Sequence, residues 1–456
     1  MPSSGQLSGY EEREPISPAI PGEGIYEVKY ENRRTNVVRL LPNGFQERKL
    51  RKLADTSARL FNEVNYERRQ QFFRGEKVDL QGTYQKYYEK YKGLLGSANA
   101  QAVLQKNNEA WSSFFSLLNL KKKGKLPPHM NHVSPPRYWK KEKKRKLLLV
   151  IRQDRYEVDE KGNKLILRDF NLEIEFSGRL RWYGKQGRLE IYYDDTENAW
   201  YASIPVEVGV EETKTGKKSK HIVRGERKSI QVEAPKGNKV ASIDLGINVL
   251  ASVVVDDGTW LLYKGIRAKE DYFYLQKKIA EIQSLADMAR KLGEYEAQEE
   301  LNREKRRLFK KLTRRLHHLY RTLASHMVKK LHGQGVSTMY LGYPYNIAQD
   351  NGNKFTTNMW SYRKLANAIE LEAQEYGMKV YEVVEYNTSK YCAYHDVEVK
   401  RRPRGVVICP KGHKLHSDLN GALNILKKAV GIAISTVKKP LSFLVLHNRV
   451  APVKGV

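Results

Sequence analysis

Two cysteines, three histidines and two aspartates of this chain have types and spacings that could do chemistry. Cys392-x-x-His395 is followed by Cys409-x-x-x-His413, with His416 three residues on, and these are the only cysteines of the chain. Two such pairs separated by a Pro/Gly/Arg-rich loop match the ligand spacing of a tetrahedral zinc ribbon. Cys392, His395 and Cys409 are the expected first three ligands, and His413 is the expected fourth, with His416 as its substitute. Asp418 follows at once and opens an apolar-striped helix, Asp418-Leu419-Asn420-Gly421-Ala422-Leu423-Asn424-Ile425. Asp244 stands at the end of an apolar run, Val240 to Leu245, and Gly246 gives the backbone there room for an approaching ion or phosphate. Alone, the first aspartate would be a turn residue and the second a helix cap. Together they are the kind of carboxylates a two-metal phosphodiester cleavage needs at adjacent strand ends, where they hold divalent ions about 4 Å apart.

The elements that must position these groups follow from periodicity. Lys239 to Asn248, Val249 to Val255 and Trp260 to Lys264, turning at Asp256-Asp257-Gly258, form a three-strand meander that begins an RNase H-like sheet. A charged, heptad-like stretch follows with a break near Gly293 and is expected to be a helical hairpin, 270–332. A strand at Ser337 to Leu341, a helix at about Met359 to Tyr376, a strand at Lys379 to Glu385, the Cys/His cluster at 388–417 and the helix from Asp418 complete a domain expected over 238–432. Residues 433–456 read as a C-terminal tail.

The first half has a different character. Ile25 to Tyr30 and Asn36 to Leu41 read as strands that join Leu148 to Arg152, Leu172 to Phe176, Arg188 to Tyr193 and Trp200 to Val206 in a small antiparallel sheet or barrel. The expectation is a split β-barrel, 25–46 and 125–208, with a helical insertion, 47–124, whose stripes (Leu50, Leu53, Leu60, Phe61, Val64; Val103, Ala110, Trp111, Phe114) are core. Tyr138 and Trp139, beside the basic run from Lys140 to Lys146, could stack on bases. A disordered lead, 1–24, and a polar linker, 209–237, account for the rest.

Lys+Arg 82 against Asp+Glu 52 leaves a formal charge of +30. That excess, spread along the chain, implies a polyanionic partner, and nucleic acid fits better than a membrane surface because no basic amphipathic anchor is evident. Cysteine scarcity fits a reducing compartment. Residues 1–24 show no apolar signal core or twin-arginine pattern, and no window approaches the ~20 apolar residues that span a bilayer. A soluble, cytoplasmic, nucleoid-associated protein is therefore expected; nothing fixes its oligomeric state, and a monomer is the working expectation.

Asp244-Leu245-Gly246-Ile247, the Asn387-Thr388-Ser389 turn before Cys392, and the run Asp418 to Ile425 resemble the RuvC-type nuclease half of the TnpB proteins of insertion sequences, relatives of the compact type V CRISPR effectors. The Cys-x-x-His ribbon is similar to that of archaeal members. A strand ending in Leu-x-Pro and the Ala110-Trp111-x-x-Phe114-Phe115 pattern extend the resemblance over roughly residues 25–430. It implies a multidomain α+β and α/β protein: an N-terminal β-barrel with an inserted helical domain, then an RNase H-like (RuvC) nuclease domain with an inserted zinc ribbon. It also implies an RNA-guided DNA endonuclease that binds a guide RNA and double-stranded target DNA and uses Mg2+. The family's middle carboxylate is a glutamate at the end of the fourth strand, where this chain has Gly342, which cannot bind a metal. A carboxylate from the next strand could enter instead: Glu385, better placed than Glu382, with Asp350 a weaker candidate. The expected magnesium ligands are thus Asp244, Glu385 and Asp418. The alternatives are a guided DNA-binding protein that does not cut, and a transposase, for which no tyrosine nucleophile motif is evident.

Overall fold

The computed structural model describes residues 24–29, 32–126, 132–141, 144–208, 233–343, 362–385, 388–401, 403, 405–431, 434 and 436–453. The chain divides into two compact units, one of Met1–Tyr30, Val232–Lys277 and Lys311–Val456, the other of Glu31–Gln231 and Lys278–Lys310.

Period-two burial builds the sheet of the second of these units. Along Arg33–Leu40 the residues Arg34, Asn36, Val38 and Leu40 face inward and their neighbours outward, as a half-buried strand requires. The strand runs into Pro42, and Asn43 then caps the helix Gly44–Phe73. Its side chain accepts from Gln46 N at 2.9 Å while Gln46 Oε1 accepts from Asn43 N at 3.0 Å, a reciprocal box that satisfies two otherwise orphaned donors. Two further helices, Leu80–Leu95 and Ser97–Lys122, pack on it. Arg68, fully buried, ties the three together by donating to Thr83 Oγ1 at 2.8 Å, Leu80 O at 2.8 Å and Asn107 Oδ1 at 2.7 Å.

The sheet itself corrects the expected barrel. Its eight strands run in the order Leu148–Ile151, Leu189–Asp194, Ala199–Glu207, Arg33–Leu40, Leu172–Ser177, Lys164–Leu167, Tyr156–Asp159, with Lys185–Gln186 paired to Ala199–Glu207 off that path. Among the described residues the two end strands do not pair, so the sheet stays open. The backbone ladder that closure requires is absent there; the end strand Tyr156–Asp159 instead meets residues 186–187 through side chains, Gln186 Nε2 donating to Tyr156 O at 3.2 Å and Tyr156 Oη to Gly187 O at 2.8 Å. Trp139 is also already engaged, stacked on Phe61 with ring centroids 4.0 Å apart, and the guanidinium of Arg69 lies over Tyr138.

The other unit holds the second eight-stranded sheet, in the order Ile25–Glu27, Lys379–Val384, Val336–Tyr343, Lys239–Leu245, Val249–Val255, Trp260–Lys264, Leu441–Val445, Val450–Pro452. Lys239–Leu245, Val336–Tyr343 and Lys379–Val384 run parallel, so their C-terminal ends reach one edge together, the place where open α/β sheets gather their functional groups. Val249–Val255, buried at every position, is the central apolar strand. The helix Ser417–Val430 packs on one face of this sheet, and the charged stretch forms helices Ile266–Lys291 and Tyr295–Gly333, turned at Gly293 with φ 77°.

Two assignments at the ends of the chain are corrected here. Ile25–Glu27 pairs antiparallel with Lys379–Val384, not with the first-half strands, and so covers an edge that would otherwise expose its ladder. Residues 433–456 are not a bare tail: Leu441–Val445 adds parallel to Trp260–Lys264 and turns back as Val450–Pro452. Asp271 fastens that turn, accepting from His447 Nε2 at 2.6 Å and from Arg315 at 2.7 Å. Among the described residues no helix is long and apolar enough to cross a membrane.

Candidate active site and metal cluster

The run Asp418 to Ile425 resolves into a set of separate jobs. Asp418 stands in the first turn of Ser417–Val430. Asn420, fully buried, accepts from Ala393 N at 3.0 Å and donates to Tyr391 O at 2.9 Å. One turn on, Asn424 donates to Thr388 O at 2.7 Å and to Tyr391 O at 2.8 Å. The two amides thus staple the helix to the segment that starts the Cys/His cluster. Between them, Ala422 O accepts from Ser242 Oγ at 2.7 Å, which pins the helix to the strand two residues before Asp244, on the same strand face. Gly421 completes the approach: a methyl on it would overlap the Asp244 carboxylate.

Glu385 comes from the neighbouring parallel strand end. Val384, just before it, donates to Gly24 O at 2.9 Å and accepts from the buried Lys428 at 3.1 Å. The chain then turns, with Thr388 N donating to Glu385 O at 3.3 Å. The Glu385 carboxylate lies where a side chain on Gly342 would have to go: a Cβ there would overlap both Glu385 Oε1 and Ile425 Cδ1. The residue that lacks a carboxylate is therefore the one that makes room for its neighbour's.

The electrostatics agree with the geometry. Burial pushes Asp244 well above the ordinary carboxyl range, the charges of Glu385 and Asp418 push it further, and Arg401 pulls it back. Burial raises Glu385 to about 8. Its Oε1 is buried with no hydrogen-bond partner among the described residues. A buried Asp244 carboxyl repelled by both Glu385 and Asp418, and the orphaned buried oxygen of Glu385, are what a divalent cation would satisfy, so Asp244, Glu385 and Asp418 fit the ion expected from the sequence.

Glu382 does not join them. Its register partner is Leu341, its carboxylate pairs with Arg363, and Glu370 lies in the same cluster. Asp350 and Asn387 lie outside the described residues. Arg401, in sequence one cation among many, lines a cleft of about 660 Å³ with Asn248, Val249, Gly405, Val406, His416, Ser417 and Asp418. Only its position between the two ligand pairs could have marked it out.

The Cys/His residues converge beside this cleft. Cys409 and His413 flank the turn of the hairpin Val406–Ile408 and Lys414–His416, with Cys409 N donating to His413 O at 2.8 Å and Gly412 at φ 101°. Donor atoms of Cys392, His395 and His413 lie within 4.8 Å of one another. Cys392 Sγ is 3.8 Å from His413 Nδ1, and His395 Nδ1 is 3.3 Å from Cys409 Sγ. In a tetrahedral site with M–S of ~2.3 Å and M–N of ~2.0–2.1 Å the S to N separation is about 3.5 Å, so these donors stand at metal-ligand spacing. Burial and the neighbouring His413 and Lys411 lower the pKa of His395, which favours the neutral ring a metal needs. His416 is elsewhere: Nδ1 accepts from Asp418 N at 3.2 Å.

Gly342→Ala is expected to displace Glu385 and weaken divalent-ion binding about 10- to 100-fold, the range for groups that orient metal ligands. Titration with Mn2+ reads this directly, and wild-type affinity in the variant would mean that Glu385 is not confined by that space.

A family model described as a probable transposase matches residues 203–348, and one described as a Cas12f1-like TNB domain matches residues 362–425. Among solved structures the chain is similar to a Cas12f1–sgRNA–target DNA complex, at TM-score 0.50 and 15% identity over 83% of this chain and 82% of that one. It is also similar to the mini-RNA-guided endonuclease CRISPR-Cas_phi3, at TM-score 0.38 and 12% identity over 89% and 93%. The first of these likenesses shows a mixed α/β multidomain fold of the Cas12f kind. TnpB-like protein ORF457 of Acidianus two-tailed virus is 77% identical over 458 residues, covering 100% of both chains, and at that identity along the full length the chain belongs to the TnpB-like proteins.

Proposed function

We propose that this chain is an RNA-guided DNA endonuclease whose RuvC-like site uses Asp244, Glu385 and Asp418 to hold magnesium, with a structural zinc on Cys392, His395, Cys409 and His413. The observation that carries this reading is that Asp244, at its strand end, lies against Gly421 of the helix that Asp418 opens and feels the charges of both Glu385 and Asp418, with Glu385 in the room left at Gly342. Asp244, Glu385 and Asp418 would hold divalent ions whose chemistry there would be activation of water and neutralisation of charge on the phosphoryl group under attack. Asp244 is fixed by its strand and Asp418 by the stapled helix, so these ligands need little rearrangement when DNA arrives. Arg401, in the wall of the same cleft, supplies a fixed positive charge where a phosphate must enter. Zinc suits the two thiolates and two imidazoles better than a hard ion does.

RNA and DNA as partners are supported by the +30 charge and by the likeness to a Cas12f1 complex with guide RNA and target DNA. In this reading the sheet and helices of the first half grip RNA and target duplex by shape and charge, and base pairing reads the sequence. Gly342 is the observation that favours the second reading, a guided binder that does not cut. The two are separated by isolating the chain with its bound RNA, sequencing that RNA, and offering a matching duplex with Mg2+. The proposal requires wild type to cut and Asp244→Ala to bind the same duplex without cutting. Absence of bound RNA overturns both readings, and RNA-independent joining of DNA ends would make the chain a transposase.

A further inference from the structure

His416 is the histidine of the ribbon hairpin that the metal cluster leaves out. Its Nδ1 accepts the backbone N–H of Asp418 at 3.2 Å and so caps the helix Ser417–Val430. A neutral imidazole that accepts at one nitrogen carries its proton on the other, so Nε2–H is the donor this ring has left. The ring packs edge-on against Trp260, with centroids 5.7 Å apart, which restricts its rotation. It lines the cleft with Asp418, Arg401 and Asn248 and its side chain is 38% exposed, so that a solute in the cleft can reach it.

We propose that His416 contacts the DNA strand being cut, donating Nε2–H to a non-bridging oxygen of a phosphodiester held beside Asp418. This rests on the cleft being the DNA-cutting site. The contact would fix the scissile phosphate relative to the carboxylates, and Arg401, which lines the same cleft, would share the charge. The backbone N–H of Asp418 thus sets both the tautomer of His416 and the start of the helix that delivers the carboxylate. His413 and His416, three residues apart, have separate duties: one holds metal, the other holds substrate.

The test separates the cap from the donor. Asparagine is a good N-cap, so His416→Asn keeps the helix start and removes the imidazole N–H, whereas His416→Ala removes both. His416→Asn is expected to retain wild-type zinc and melting temperature while its cleavage rate at saturating DNA falls about 10- to 100-fold, the scale of a hydrogen bond to a charged group. His413→Ala is expected to lose zinc. A second readout needs no cutting: in the RNA-bound Asp244→Ala protein, matched duplex should reduce diethylpyrocarbonate modification of His416 several-fold, read by mass spectrometry. Full activity of His416→Asn with an unchanged footprint would overturn the assignment and leave a cap only, with the nuclease reading intact. Protection of His416 in a protein whose wild type never cuts would sustain the contact and sink the nuclease reading instead. Loss of zinc in His416→Asn would contradict the division of duties.

Discussion

Glu385→Ala is expected to abolish cutting, with a fall of at least about 10³-fold, while binding of the matched duplex stays within about twofold of wild type. The magnitude follows from the several kcal/mol of charge stabilisation a catalytic ion supplies, each 1.36 kcal/mol being tenfold in rate. The Glu385 Oε1 is buried without a hydrogen-bond partner among the described residues, and the space it fills exists because residue 342 is glycine. The same burial has a second consequence. Burial raises the carboxyl from its ordinary 4.5 to about 8, so the contribution of Glu385 to stability is fully present below about pH 4.5 and is lost as pH rises through about 8. Without divalent ions, Glu385→Gln should therefore melt higher than wild type at pH 9 and equally at pH 4. A variant more stable and wholly inactive is the signature of a residue kept for function. Equal melting at both pH values, with full activity in Glu385→Ala, would remove Glu385 from the site.

Cys392→Ser is expected to have the next largest effect. The ribbon's own apolar core is small, with Val399 and Val407 as its buried aliphatic residues around the two cysteines, and cannot hold the segment alone. Structural zinc contributes about 10–16 kcal/mol in small domains, so loss of a ligand should melt the ribbon outright. Asn420 and Asn424 bond to Tyr391 O, Ala393 N and Thr388 O, so the melted ribbon also frees the helix start that carries Asp418. Cleavage should fall as far as it does in Asp418→Ala, and zinc per chain should drop to zero. Retention of zinc and activity would mean that the ribbon does not position Asp418.

The site was legible where chemistry imposes spacing and obscure where it depends on what is absent. Cys392, His395, Cys409 and His413 stood out as candidates because a metal site imposes ligand separation, and the donor atoms of Cys392, His395 and His413 do lie within 4.8 Å of one another; Asp244 and Asp418 stood out because they sit at the edges of strongly periodic elements. Gly342 was legible as a gap that Glu385 could enter, but the packing that confines Glu385 there and sets Gly421 against Asp244 was not. Open and closed sheets share the same alternation, so the first-half strands could be read from sequence and the missing closure could not. The partner of Ile25–Glu27 lies more than 350 residues away in sequence, and no local signal points to it. Leu441, Phe443 and Val445 do alternate, but Lys438-Lys439-Pro440 before them has the composition of a tail. Leu80–Leu95 carries no clear aliphatic stripe: Thr83, Tyr87, Tyr91 and Leu95 form its buried face, and tyrosine is ambiguous until its hydroxyl finds a partner, here Glu67 for Tyr87 at 2.9 Å.

Binding of Mn2+ to the zinc-loaded, RNA-bound chain, followed by the electron paramagnetic resonance of the free ion, tests the three-carboxylate site most directly. Glu385→Gln should weaken binding at least tenfold, while Glu382→Gln, whose carboxylate pairs with Arg363, should bind as wild type does. Wild-type affinity in Glu385→Gln together with loss in Glu382→Gln would contradict the account.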